Sequence, residues 1–382
     1  MNRRIIGGAS ALALGALAFA VADTTTTPNL TASLAAGKVE LKSAGALAFG
    51  PQGVLFVGDS LGGTVAELDT ADRTEAKGAP KVNIEGIDAK IAAMAGVTPE
   101  DIAINDVKVN PISKNVYLSV TRGRGPQASA MIVKVTAAGQ VTNVALDNIK
   151  HASVNLSDAP AANPSARQDP RMMTITDMNF VNGNLLVAGL SNEEWSSALR
   201  SIPVPFKNAD QGATLQIWHS SHGRYETQSP VRTFVPYTIG GQAFVLAAYT
   251  CTPLVKIPAA SLKSGEKVKG VTIADLGAGN QPLDMVPYKK DGHDFILIAN
   301  SSKGLVKLRA DAMENYAAID SPTKVDGPAG VPYDKLELKN VQQLAAFDSA
   351  SAIVLTGQPG PGPAFNPGKP VGPLTLQTIA LP

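Results

Sequence analysis

With a single cysteine, Cys251, among 382 residues, the chain cannot form an intramolecular disulfide, so its stability must come from a packed core. Aromatic residues are 5% and charged residues 17%, which leaves neither an aromatic recognition surface nor a strongly charged one. Net charge is also nearly absent. Discounting Arg3 and Arg4 at the extreme N-terminus turns the formal +1 into −1, and no basic stripe remains to release counterions from phosphates, which argues against nucleic acid as a partner. Beyond the first 22 residues no apolar run reaches membrane-spanning length, so no transmembrane helix is expected in the mature chain.

The N-terminus supplies an address. MNRR is followed by IIGGASALALGALAFA and by a small-x-small site at Ala18-Phe19-Ala20 or Ala20-Val21-Ala22, so residues 1–22 read as a secretory signal and the protein as periplasmic or secreted. An uncleaved anchor and twin-arginine export are the alternatives. Residues 23–36, rich in Thr and Ala, read as a flexible tether, and residues 37–382 as one domain.

What is abundant is turn chemistry, 35 Gly and 27 Pro, arranged around a repeat. Six copies read GALAFGPQGVLFVGDS from Gly45, NDVKVNPISKNVYLSV from Asn105, TDMNFVNGNLLVAG from Thr176, RTFVPYTIGGQAFVLAAYT from Arg232, LDMVPYKKDGHDFILIANS from Leu283 and QQLAAFDSASAIVLTG from Gln342. Each is an apolar strand, a turn and a second apolar strand. The residue before the first apolar position is Ala46, Asp106, Asp177, Thr233, Asp284 and Gln343 in turn, a spacing of about 59 residues. Third strands follow as VAEL from Val65, IVKV from Ile132, LQIW from Leu215, LVKI from Leu254, LVKL from Leu305 and LQTI from Leu376, and outer ones as KVNI from Lys81, VTNVAL from Val141, VTIADL from Val271 and LELKNV from Leu336.

Four short strands per unit, repeated radially, predict an all-β, six-bladed β-propeller of four-stranded antiparallel blades. GKVELKSAGAL from Gly37 matches DKLELKNVQQL from Asp334, so the N-terminal strand is expected to join the last blade and close the ring. Two insertions stand out. DAKIAAMAGVTPEDI from Asp88 predicts a short helix and a second start at Thr98-Pro99-Glu100, and GQPGPGPAFNPGKPVGP from Gly357 an extended loop on one rim.

The strand grammar in FGPQGVLFVGDS, FVNGNLLVAG and YKKDGHDFILIANS resembles the NHL-repeat propellers and the regucalcin, gluconolactonase and paraoxonase group. That resemblance implies a central divalent cation, calcium, with Asp106, Asp177 and Asp284 at the positions of its ligands, and metal-assisted hydrolysis of a lactone or ester.

The residues support three roles for these aspartates. Carboxylates gathered around one axis repel unless something positive lies between them, and calcium accepts oxygen ligands in flexible geometry. An Asp at a strand start also accepts backbone N–H bonds from its own turn or the adjacent blade. Direct contact with an organic ligand is the third. Arg232 is a candidate counter-ion or anion contact; Asn105, Asn300 and Asp59 are candidate ligand contacts at the strand ends.

His219-Ser220-Ser221-His222 can be an exposed turn, a transition-metal chelate completed by Cys251 or Glu226, or the source of a general base. In the hydrolase reading, Asp177 or His222 activates water. The rival readings are a noncatalytic envelope propeller that binds a protein or glycan through its rim, and an accessory factor to a periplasmic redox system.

Overall fold

A computed structural model describes residues 29–382 apart from 79, 167, 252, 312, 323–327 and 367, so the expected signal segment lies outside the described residues. Each blade is built from a hairpin whose second strand is buried on both faces. Val54–Asp59, Val116–Arg122, Asn184–Leu190, Gln242–Tyr249, His293–Asn300 and Ser351–Gln358 are these strands, which is why each reads as a nearly continuous apolar run. Three of the hairpins turn through Asn182-Gly183, Gly240-Gly241 and Asp291-Gly292, all with positive φ, as a tight two-residue turn requires.

The inner strands are Leu47–Phe49, Ile102–Val109, Asp177–Val181, Val231–Ile239, Pro282–Lys290 and Val341–Ala346, in blades one to six by chain order. Third strands follow at Thr64–Asp69, Ser129–Val135, Ser197–Pro203, Pro253–Pro258, Gly304–Arg309 and Val371–Ala380. Blade three departs from expectation: its third strand is Ser197–Pro203, and Leu215 lies in its fourth, Ala213–His219. The SALRSIP segment is less uniformly apolar than LQIW because Arg200 interrupts it.

Around the ring the blades do not follow chain order. Six interblade cores join one to two, two to six, six to five, five to four, four to three and three back to one, giving the circular order 2-1-3-4-5-6. Two crossing connections produce this exchange. After Thr64–Asp69 the chain passes to the far side of blade two, where Asn83–Glu85 pairs with Thr375–Gln377 as the outer strand of blade six. It then builds the helix Ile87–Ala95 and blade two, and returns through Ile149–Asn155, which pairs with Thr64–Leu68 to complete blade one. Ile87, Ile91 and Ala92 of that helix are buried in the core between blades two and six. The expected second helix start is a single 3-10 turn, Pro99–Asp101.

Ring closure is therefore corrected. The last blade is completed by Asn83–Glu85, whereas the N-terminal strand Ala35–Gly37 pairs with Ile149–His151 on the outer edge of blade one. The sequence match between the Gly37 and Asp334 segments has a structural counterpart, since Val39 and Leu41 pack in the wedge between blades one and two as Leu336 and Leu338 do between five and six. The preceding neighbour is simply blade two instead of blade six. Of the expected tether, residues 23–28 lie outside the described residues; in the remainder Asn29 caps a 3-10 turn over Leu30–Ser33, and Leu30 is buried against blade one.

Candidate functional site

The register of the inner strands shifts between Ile104 and Asp106, Val231 and Thr233, Pro282 and Asp284, and Val341 and Gln343. The skipped residues are Asn105, Arg232, Leu283 and Gln342, each immediately before the repeat's marker position. Bulges of this kind re-aim side chains, and here they build the rim of the channel mouth. Asp106, Asp177 and Asp284 line one cavity of about 140 Å³ there, with Asn105, Arg232 and Gln281.

The blade exchange places these three aspartates on alternate blades. Each reaches the next blade in the same rotational sense and accepts a backbone N–H one residue past its marker: Asp106 Oδ2 from Leu47 at 2.6 Å, Asp177 Oδ2 from Phe234 at 2.9 Å and Asp284 Oδ2 from Leu344 at 2.9 Å. Asp106 and Asp177 also accept from Val107 and Met178 through their other oxygen, and Thr233 Oγ1 donates to Asp177. The carboxylates thus act as clasps between neighbouring inner strands.

The positive charge between them is Lys108, which the sequence reading passed over. Its Nζ lies 3.4 Å from Asp106 Oδ1 and 3.5 Å from Asp284 Oδ1. Burial alone would lower the ammonium pKa, but attraction to Asp106, Asp284 and Asp177 raises it; burial in turn pushes all three carboxyls up against the pull of Lys108. These residues do not fit the expected calcium site, because the carboxylates are engaged with backbone N–H groups and the ammonium occupies the place an ion would take. Lys108 follows Asp106 by two positions on one strand, so period-two alternation was the signal that could have found it.

Two other sequence candidates are occupied elsewhere. Asp59 accepts from the backbone of Lys42, Ser43 and Gly62 and from Ser43 Oγ, closing a turn. Asn300 caps another, accepting from Ser302 and Lys303 N–H while its amide donates to Asn280. Asn105 does sit at the mouth, where its amide donates to Ala44 and Thr121.

Adjoining the channel is a larger cavity of about 470 Å³, lined by His219, His222, Cys251, Arg232, Gln281 and, from the Pro-rich loop, Phe365. The loop therefore lies over this mouth. His219 ends the fourth strand of blade three, His222 follows in one 3-10 turn, and Cys251 lies just beyond the second strand of blade four with a left-handed φ of 58°. Their nitrogen and sulfur donors lie within 4.8 Å of one another.

Glu226 organises the pair of imidazoles. Its Oε2 lies 2.6 Å from His219 Nδ1 and its Oε1 2.7 Å from His222 Nδ1. Burial would raise its pKa, but the hydrogen bonds from both histidines and Ser229 hold it well below the usual carboxylate range. An ionised Glu226 can only accept, so both Nδ1 atoms donate to it. His219 Nε2 is buried on the side of Cys251 and has no hydrogen-bond partner in close contact among the described residues, and the ring is 2% exposed. Burial opposes the charged imidazole, yet Cys251 and Glu226 raise His219 to about 9, while His219 draws the Cys251 thiol down.

Arg232 borders both cavities. With the Gln281 amide oriented to satisfy its surroundings, Gln281 accepts from Arg232 Nε at 3.1 Å and Nη2 at 2.6 Å, and donates to the Phe365 carbonyl at 3.0 Å. Burial lowers the guanidinium pKa to about 10.

No family model matches the chain, and no curated protein sequence does. Among solved structures, it is similar to a PQQ-bound aldose sugar dehydrogenase from Streptomyces coelicolor, at 12% identity over 91% of this chain and 97% of that one, TM-score 0.29. It is similar also to a calcium-binding regucalcin from Agrobacterium tumefaciens, at 10% identity over 84% and 85%, TM-score 0.25. A streptogramin B lyase structure matches at 8% identity over 91% and 97%, TM-score 0.27. The class defined by the fold is the six-bladed β-propeller, in keeping with the NHL- and regucalcin-like strand grammar; likeness at these scores carries nothing about ligand or activity.

Proposed function

We propose that this chain is an exported propeller that binds a small ligand at one mouth, beside a thiophilic transition-metal ion held by His219, His222 and Cys251. The observation that carries the reading is the buried Nε2 of His219, without a close hydrogen-bond partner among the described residues, next to a thiol and a second histidine whose ring is tied to the same glutamate. A carboxylate that accepts the Nδ1–H bonds turns each Nε2 away from itself, which is the usual support for metal-ligating histidines, and an ion binding there would displace the Nε2 proton that His219 holds below about pH 9. Three donors leave a position open towards the cavity. An ion there would polarise a ligand carbonyl, so ester or lactone hydrolysis stays the favoured reaction class, moved from the aspartates to the histidine side. The same two-histidine, one-thiolate set also suits copper, which keeps the redox-accessory reading as the second choice.

The test is metal content by plasma mass spectrometry after dialysis, with cobalt and copper titrations followed by thiolate charge-transfer absorption. One ion per chain is expected, lost in Cys251→Ser and His219→Ala and kept in Asp284→Asn. Metal that survives Cys251→Ser, or that leaves with Asp284→Asn, would overturn the assignment.

A further inference from the structure

The cationic side chains inside this ring differ in how their charge is met. Arg200 is fully buried and paired with Asp158 at 2.8 Å, and Lys108 sits among the channel aspartates. Arg232 has no carboxylate in ion-pair contact among the described residues, although burial costs its charge enough to depress its pKa. Arg232 is half-buried and borders both cavities, so its unpaired guanidinium is within reach of a ligand at the mouth.

Its presentation is also specific. Arg232 is the extra residue of a bulge in the inner strand of blade four, so its side chain is aimed into the mouth and not along the strand's alternation. Gln281 takes Nε and one hydrogen of Nη2, and the Phe365 carbonyl fixes Gln281 in turn. A guanidinium carries five N–H donors in a rigid fork. With one edge held, the remaining donors form a second, parallel pair suited to a planar anion.

The surrounding charge decides on which side that anion sits. Towards the channel Arg232 faces the cavity of Asp106, Asp177 and Asp284, which repels anions. Towards blade three it faces the 470 Å³ cavity with His219, His222 and the neutral Gln228 and Asn366, a volume suited to a metabolite-sized ligand. A single free guanidinium matches one negative charge better than a phosphate dianion.

We infer that Arg232 is the anchor for the carboxylate of a small organic acid, with Gln281 as a positioning residue and the rest of the ligand lying towards His219 and Cys251. This rests on the reading of that cavity as the ligand site and is independent of whether a metal is present.

The experiment is isothermal titration of sodium benzoate and sodium lactate into metal-stripped protein on a Cys251→Ser background, with benzamide and inorganic phosphate as comparisons. The background separates the two ideas, since the metal reading is decided on Cys251 and His219 and this one on Arg232. Saturable carboxylate binding is expected, with no benzamide binding. Loss of a charged hydrogen-bonding partner should weaken it about tenfold or more in Arg232→Gln, with part regained in Arg232→Lys. Gln281→Leu should weaken carboxylate binding while leaving the melting temperature near that of the parent, which a merely structural role would not do. Equal affinity in Arg232→Gln, no saturable carboxylate binding, or phosphate binding more tightly than either carboxylate would each overturn the proposal.

Discussion

Glu67 shows how much one residue can hold in reserve. It lies in the third strand of blade one, wholly buried, with neither carboxyl oxygen hydrogen-bonded among the described residues, and burial pushes its pKa up to about 7. Val65, two positions before it, packs in the core between blades one and three, so strand alternation points Glu67 to that same interface. Because the folded state holds the proton more tightly than the unfolded chain, the neutral form's stability is fully present below about pH 4.5 and is lost as pH rises through about 7. The loss amounts to roughly 3 kcal/mol. Glu67→Gln mimics the neutral acid, so its melting temperature should match the parent near pH 4 and exceed it at pH 8; parallel curves across that range would show that Glu67 is ionised and accommodated. VAEL gave the strand but not this burial, since a Glu between apolar residues reads equally well as a solvent-facing position. Lys108 was obscured by the same ambiguity, whereas Asp106, Asp177 and Asp284 stood out because the repeat places them at one register.

At the level of elements, the inner strands are joined in pairs by the aspartate clasps, and Lys108 is their shared counter-ion. Removing that ammonium leaves buried carboxylates uncompensated, a change that costs about 3–5 kcal/mol in comparable buried pairs. Lys108→Met should therefore unfold at a markedly lower denaturant concentration than the parent, and millimolar calcium should restore part of the loss in the variant while leaving the parent unchanged. A variant insensitive to calcium would mean that the backbone clasps hold the carboxylates too far apart to converge on an ion. The hairpins behind these clasps were legible because buried middle strands and Asn-Gly, Gly-Gly and Asp-Gly turns leave strong local patterns. Strands of three residues, such as Asn83–Glu85 and Ala35–Gly37, leave almost none. The histidine site was visible as one of three readings: His219 and His222 lie three positions apart and Cys251 or Glu226 was named to complete a chelate, but the place of Arg232 beside them depends on blade four docking beside blade three, and Gln281 had no local signal at all.

For the whole molecule, six repeats predicted six blades, yet repeat sequence cannot say which neighbour a blade faces, and the 2-1-3-4-5-6 order came only from the interblade cores. Simple repeat arrays unfold by nearest-neighbour terms. Here blades one and six borrow outer strands from distant parts of the chain, so the ring should open as a unit. Denaturation followed by fluorescence of Trp195 and Trp218, both in the blade-three region, should coincide with far-ultraviolet circular dichroism, which averages over all blades. Separate midpoints would show that blade three loosens by itself. The borrowed strands also impose a timetable on biogenesis. Asn83–Glu85 has no edge to pair with until Thr375–Gln377, in the last of the six blades by chain order, has been made. Blades two to six must all have been made before the circle can close, and until then blade one is followed by a strand committed to a partner that does not yet exist.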